Sequence, residues 1–86
     1  MSIDYFVLRY NISEVFQMIF KRIKALRVDN DFTQTFVGDK INIPQRTYSY
    51  YESGKRVIPP QVLISLAKLY DTSVDYLLEL TDDPKP

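Results

Sequence analysis

Residues 33–54 read TQTFVGDKINIPQRTYSYYESG, and we expect this segment to fold as two short helices joined by a tight turn. Thr33 is a favourable N-cap for the first of the two helices, which should run to about Lys40. Asn42 tolerates a positive φ and can therefore end that helix, as glycine usually does. Three apolar residues at helical spacing should face the core: Phe36, Val37 and Ile41.

The second helix of the segment should run from about Pro44 to Ser53. Proline suits this start because the first turn of a helix does not need its N–H, and Gly54 is a favourable residue at the other end. Gly38, inside the first helix, costs about 1 kcal/mol relative to alanine. Close, steep packing of the second helix against the first is a physical reason for a glycine there, so we expect such packing.

Polar and planar side chains occupy the outward face of the second helix. Side chains of this kind can hydrogen-bond base edges in the major groove of DNA. Arg46 can bond O6 and N7 of guanine together, and Gln45 can pair with adenine in the same way, which gives about 1–3 kcal/mol of discrimination. The candidate base-contacting residues are Gln45, Arg46, Ser49 and Tyr50.

Three more helices complete the expected architecture, an all-α domain of five helices. Residues 18–29 carry apolar side chains at three- and four-residue steps and should form helix 1. Pro60 should lie at the start of helix 4, and Ser73 should cap helix 5. Residues 81–86 are polar and include two prolines, so we expect a flexible tail.

Residues 1–17 leave several alternatives open. Residues 5–9 could form a short strand, or residues 12–18 could extend helix 1 toward the N-terminus. This extension could be disordered, or it could contact a partner or a second copy of the chain. Met18 could also be the natural start, in which case residues 1–17 should be disordered. We therefore divide the chain into an N-terminal extension, a domain over residues 18–80 and the tail.

The composition excludes several classes of site. The 86 residues suffice for one domain, and they include neither cysteine nor histidine. Disulfides, thiolate metal sites and the commonest general base are thereby ruled out, and we expect neither an enzyme nor a bound metal or cofactor. No stretch approaches the roughly 20 apolar residues that span a bilayer. We therefore expect no membrane partner and a cytoplasmic location.

Charge is unevenly distributed along the chain, although the formal net charge is zero. Residues 18–56 hold eight basic and four acidic side chains, whereas residues 57–86 hold two basic and five acidic ones. This asymmetry suits a protein with one face toward phosphates and another toward a partner subunit. Three basic side chains of helix 1 are interpreted as a solvated face: Lys21, Arg22 and Lys24.

The chain resembles the Cro/repressor-type helix-turn-helix family, often called XRE, from about residue 20 to residue 80. The resemblance implies a five-helix, lambda-repressor-like DNA-binding domain in which helices 2 and 3 form the helix-turn-helix. It also implies sequence-specific binding of double-stranded DNA by a transcriptional regulator, expected to be a nucleoid-associated repressor that acts as a homodimer. Five motifs carry the resemblance: RIKALR at 22–27, FTQ at 32–34, INI at 41–43, YESGKR at 51–56 and SVDYLL at 73–78.

The resemblance also implies roles for single residues. Gln34 looks like the residue that bonds a phosphate and braces the recognition helix, and Arg27 with Glu52 matches an internal salt bridge. Tyr48 stands where the family usually has Ile or Val, so the core must hold a larger ring, and Tyr50 is unusual as a base reader. The residues expected at the DNA backbone are Thr33, Gln34, Thr47, Ser53, Lys55 and Arg56.

An alternative function is that of a protein-interaction module, such as an antitoxin-like partner or an adaptor. The zero net charge and the apolar N-terminal segment motivate this alternative, since such a segment can dock to a protein partner. For a homodimeric regulator, helix 5 and the tail are the candidate dimer surface, because they are apolar and lie outside the basic segment.

Overall fold

A computed structural model gives the fold of this protein, describing the backbone of residues 12–86 and the side chains of residues 19–86. This part of the chain consists of helices joined by short turns and contains no strand, which confirms the predicted all-α class. The five helices are α1 (Ile12–Asp29), α2 (Gln34–Lys40), α3 (Gln45–Ser53), α4 (Pro60–Leu69) and α5 (Val74–Leu77).

Helix α1 begins six residues before the start that we expected at residue 18. Of the alternatives for the N-terminal region, the extension of helix 1 over residues 12–18 is the one that the structure has. The apolar pattern of the helix continues backward through Val15 and Phe16, which gives a sequence reason for the longer helix. The boundary predicted at residue 18 therefore falls inside α1, and the possible strand at residues 5–9 lies outside the described residues.

Helices α2 and α3 begin and end at the residues that the sequence indicated. The Thr33 hydroxyl accepts a hydrogen bond from the Phe36 N–H at 3.0 Å and so caps α2. Asn42 follows the end of α2 with a φ of 60°, and Gly54 ends α3 with a φ of 83°. Pro44 is the residue before the first turn of α3 rather than its first helical residue.

Gly38 lies where the turn and the first residue of α3 pass close to the backbone of α2, which confirms that the packing at this glycine is close. A Cβ atom on this residue would be 2.9 Å from the backbone oxygen of Ile43 and 3.5 Å from the Cα of Gln45. The Ile43 N–H also donates to the Gly38 carbonyl at 2.9 Å. The turn and the first residue of α3 are therefore held directly on the α2 backbone.

All five helices contribute to the core. Helix α2 contributes Val37, whereas Phe36, which we expected to face the core, is 37% exposed. Tyr48 is fully buried, so the larger ring that we expected in the core is present there. Burial of each large apolar side chain stabilises the fold by about 1.5–3 kcal/mol. The buried core residues are Ile23, Val37, Tyr48, Tyr51, Ile58, Leu66, Ala67 and Leu77.

The C-terminal segment is held against α1 by Arg22, which the sequence interpretation placed on a solvated face. Helix α5 is a single turn capped by the Ser73 hydroxyl, and Leu80 lies beyond it with 55% of its surface exposed. Arg22 is not part of a solvated face, because only 18% of its side chain is exposed. Its guanidinium donates to the carbonyls of Tyr76 and Thr81 at 2.8 and 3.2 Å. Arg22 therefore fastens the C-terminal segment to α1.

Candidate nucleic-acid interface

The N-terminal half of α3 presents the residues that we expected to contact bases. Gln45 and Arg46 in its first turn are exposed, whereas Thr47, Ser49 and Tyr50 are partly buried. Between them, Tyr48 points into the core and fixes the rotation of the helix. The rotation leaves a polar surface on the opposite side, which we call the α3 face and define as Gln45, Arg46, Ser49 and Tyr50.

Gln34 connects the start of α2 to the start of α3. Its side-chain oxygen accepts a hydrogen bond from the Gln45 amide nitrogen at 2.9 Å. Its own amide nitrogen points to the Glu52 carboxylate at 3.5 Å, which is the limit for a hydrogen bond. Because the Gln34 amide contacts both ends of α3, it braces the helix in the way that the resemblance implied.

Arg27 of α1 and Glu52 of α3 form a buried, bidentate ion pair. The Arg27 Nε and Nη2 atoms donate to the two Glu52 carboxylate oxygens at 2.9 and 2.7 Å. Arg27 also donates to the Phe32 carbonyl at 3.0 Å. Burial is the largest influence on Glu52 and opposes its ionisation, but the hydrogen bonds to its carboxylate and the positive charge of Arg27 together outweigh burial, so the pKa of this carboxyl lies below its ordinary value. The pair fixes α3 to α1 without using a residue of the α3 face.

The loop after α3 places two exposed cations beside the helix. The Lys55 and Arg56 N–H groups both donate to the Tyr50 carbonyl, at 2.9 and 3.3 Å. Their charged groups lie over the Tyr50 ring, with Lys55 Nζ 5.6 Å and Arg56 Cζ 5.2 Å from its centroid. The Ser53 hydroxyl donates to the same carbonyl at 3.3 Å. The loop is therefore folded back on the last turns of α3.

The structure brings most of the expected DNA-contacting residues close to α3. Gln34, next to the α2 cap Thr33, bonds to the first residue of α3, and the cations of the loop lie over a ring of that helix. Within the part of the chain that the structure describes, no cluster of carboxylates could hold a metal ion. In the same residues, no helix combines the length and apolar character needed to cross a membrane.

Two buried tyrosine hydroxyls near the ion pair were missed by the sequence analysis. The Tyr70 hydroxyl has no hydrogen-bond partner among the described residues, and the Tyr48 hydroxyl lies beside the Glu52 carboxylate. Burial, followed by the negative charge of Glu52, raises the pKa of Tyr70 to about 12. Burial and the nearby Glu52 carboxylate raise the pKa of Tyr48 as well. Tyr48 and Tyr70 lie 22 residues apart in the sequence, so helical periodicity gave no signal that they share one buried region.

The raised pKa of Tyr70 predicts a loss of stability at alkaline pH. Tyr70 loses its proton near pH 10 in the unfolded chain, but at about 12 in the folded one. Between these values the unfolded state binds fewer protons, so the free energy of unfolding falls as the pH rises. Urea unfolding between about pH 9 and pH 11.5 measures this loss, and Tyr70→Phe should make it shallower. An equally steep loss in Tyr70→Phe would show that the Tyr70 hydroxyl does not contribute.

The sequence of this chain is similar to those of known proteins. A family model described as Helix-turn-helix matches residues 23–77. The HTH-type transcriptional regulator YobD of Bacillus subtilis (strain 168) is 42% identical over 69 residues, covering 80% of this chain and 62% of the relative. ImmR, an HTH-type transcriptional regulator of the same organism, is 38% identical over 58 residues, covering 67% and 46% of the two chains. This chain thus spans about half the length of these relatives. No solved structure matches it.

Proposed function

Because this chain belongs to the helix-turn-helix family of DNA-binding transcriptional regulators, we propose that it recognises a specific sequence of double-stranded DNA and represses transcription there. The observation that carries the proposal is the exposure of Gln45 and Arg46 on a helix whose other side is locked to the domain by Tyr48 and the Arg27–Glu52 pair. Side chains held on a fixed helix can be presented to base edges in one register.

The proposed interface divides into base contacts and phosphate contacts. Arg46 has the two donors for a two-point bond to guanine, Gln45 has the donor and the acceptor for a two-point bond to adenine, and Ser49 lies one turn further on the same face. Thr33 and Gln34 at the start of α2 would contact the phosphates on one side of α3. Contacts to phosphate fix the register of a protein on DNA but carry no sequence information. The phosphate contacts proposed on the other side of α3 are Thr47, Ser53, Lys55 and Arg56.

We propose that two copies of the chain bind DNA as a homodimer in the cytoplasm. Each copy would present the same interface to one half of a near-palindromic site. Two copies related by a two-fold axis would place their α3 helices in successive major grooves, roughly 34 Å apart. Helix α5 and the residues that follow it are the proposed dimer surface, supported by the exposed Leu80 side chain. Residues 57–86 hold more acidic than basic side chains, so charge repulsion should keep this part of the chain away from the DNA phosphates.

Selection of binding sites from random double-stranded DNA tests the proposed function. We expect enrichment of one sequence with two related half-sites whose centres are about one helical turn apart. A transcriptional fusion carrying the selected site should then be repressed by the protein. Failure to enrich any sequence at low salt would contradict sequence-specific binding by this chain.

Replacing Arg46 by alanine should weaken binding by about 5- to 150-fold for each half-site, which corresponds to the 1–3 kcal/mol of one bidentate contact to guanine. Preference for one base pair in each half-site should also be lost. Equilibrium binding to the selected site and to single-base variants of it measures both effects. Lys68→Ala is the matched control, since Lys68 is an exposed cation of α4. If Arg46→Ala and Lys68→Ala bind alike, Arg46 does not read a base.

A further inference from the structure

Tyr50 makes contacts that a base-reading side chain does not need. Its ring is approached by Lys55 Nζ at 5.6 Å and by Arg56 Cζ at 5.2 Å. Its carbonyl accepts the N–H groups of both residues, at 2.9 and 3.3 Å. Tyr50 therefore holds the backbone and the charged groups of the loop that follows α3.

No carboxylate of residues 19–86 forms an ion pair with either of the two loop cations. Among the residues that the structure describes, the ion pairs involve Arg22 and Arg27, and neither Lys55 nor Arg56 takes part in one. A carboxylate would order these cations but would also neutralise them. An aromatic ring attracts a cation through its quadrupole and carries no net charge. The positive charge of the loop therefore stays available to phosphates while its position is restricted.

Tyr50 also sets where this charge lies relative to the α3 face. It is four residues after Arg46, so the two side chains are neighbours on the same side of the helix. Cations held on the Tyr50 ring are thus kept beside the residue proposed to read a base. Ordering them before DNA arrives reduces the entropy that is lost on binding.

We propose that Tyr50 is a positioning residue whose ring holds Lys55 and Arg56 ready for DNA phosphates, and that its hydroxyl reads no base. This inference rests on the proposed function, because it concerns how the same interface binds DNA. It assigns Tyr50 to sequence-independent affinity, whereas the sequence pattern placed it among the base-contacting residues.

Two substitutions at Tyr50 separate the ring from the hydroxyl. Tyr50→Phe keeps the ring and should bind the selected site and its single-base variants within about twofold of the wild type. Tyr50→Leu removes the ring and should weaken binding to the selected site and to unrelated DNA equally, by about 5- to 10-fold, the lower end of the effect expected when two side chains must be ordered on binding. A change in base preference in Tyr50→Phe would overturn the proposal.

A double-mutant cycle shows whether the ring acts through the cations. In the Lys55→Gln/Arg56→Gln background, Tyr50→Leu should cause no further loss of DNA affinity. A merely structural role would give the same loss in both backgrounds, and that result would overturn the proposal. Thermal unfolding of each variant identifies any loss that comes from the fold.

A measurement without DNA keeps this test independent of the proposed function. The side-chain methylene protons of Lys55 and Arg56 should be shifted upfield by the ring current in the NMR spectrum of the wild type, and should return toward random-coil positions in Tyr50→Leu. Unshifted protons in the wild type would overturn the role proposed for the Tyr50 ring, even if the protein binds DNA. Shifted protons in a protein that selects no DNA sequence would instead contradict the proposed function alone.

Discussion

Replacing Glu52 by alanine should lower the free energy of unfolding by about 3–5 kcal/mol, because the change leaves a buried guanidinium without its carboxylate. Only 14% of the Arg27 side chain and 4% of the Glu52 side chain are exposed, so water can replace little of the lost pair. The Gln34 amide and the Arg27 Nε and Nη2 atoms would all lose a partner. Urea unfolding at neutral pH, with wild type and variant compared, measures the loss.

Two controls show whether the loss comes from the buried pair. Asp82→Ala removes a fully exposed carboxylate that lies 3.7 Å from Arg22, and it should change stability little. The double variant Arg27→Met/Glu52→Leu removes both charges and should recover much of the stability, since a hydrophobic pair of similar volume has no unpaired charge. Equal stabilities of Glu52→Ala and Asp82→Ala would contradict the structural role assigned to the pair.

Replacing Gly38 by valine should destabilise the protein by about 3 kcal/mol, the upper end of the range for overpacked cores. The new Cβ would lie 2.9 Å from the Ile43 backbone oxygen, so backbone must move and not a flexible side chain. That movement would break the 2.9 Å hydrogen bond from the Ile43 N–H to the Gly38 carbonyl and shift the start of α3. We therefore expect weaker DNA binding in addition to easier unfolding in urea.

Thr35→Val is the matched control for Gly38→Val. Thr35 lies in the same helix and is exposed, so Thr35→Val places the same valine side chain in α2 at a position where a β-branched residue already fits without a clash. If Gly38→Val does not fold, Gly38→Ala adds the Cβ alone and should still shift α3 and weaken DNA binding. Urea midpoints for Gly38→Val and Thr35→Val that coincide would show that α2 and α3 do not need a glycine at their crossing.

Local signals in the sequence predicted the structure most accurately. The caps at Thr33 and Ser73 and the positive φ of Asn42 and Gly54 each depend on a few neighbouring residues. The start of α1 was expected too late, because residues 12–18 continue an apolar pattern that was also compatible with a separate segment. The exposure of Gln45 and Arg46 was predictable, since the buried Tyr48 and Tyr51 set the rotation of α3 by helical periodicity alone.

Contacts between residues that are far apart in the sequence could not be predicted from these local signals. Arginine usually lies at the surface, and Arg22 was therefore interpreted as part of a solvated face. Its actual partners are the carbonyls of Tyr76 and Thr81, which lie 54 and 59 residues away in the sequence. The side chain alone gives no sign of these acceptors, which are backbone atoms. The buried hydroxyls of Tyr48 and Tyr70 and the cations over the Tyr50 ring are likewise set by how segments meet.

By itself, the sequence determined which segments are helical, where α2 ends and where α3 ends, and which side of α3 is polar. These properties follow from backbone preferences and hydrophobic periodicity within a few turns of helix. Only the tertiary structure decided that Arg22 fastens the C-terminal segment, that Gln34 bonds to both ends of α3, and that Tyr50 holds two cations. The physical reason is that hydrogen bonds and ring contacts of this kind depend on distances of a few ångströms between helices, which residue spacing along the chain does not specify.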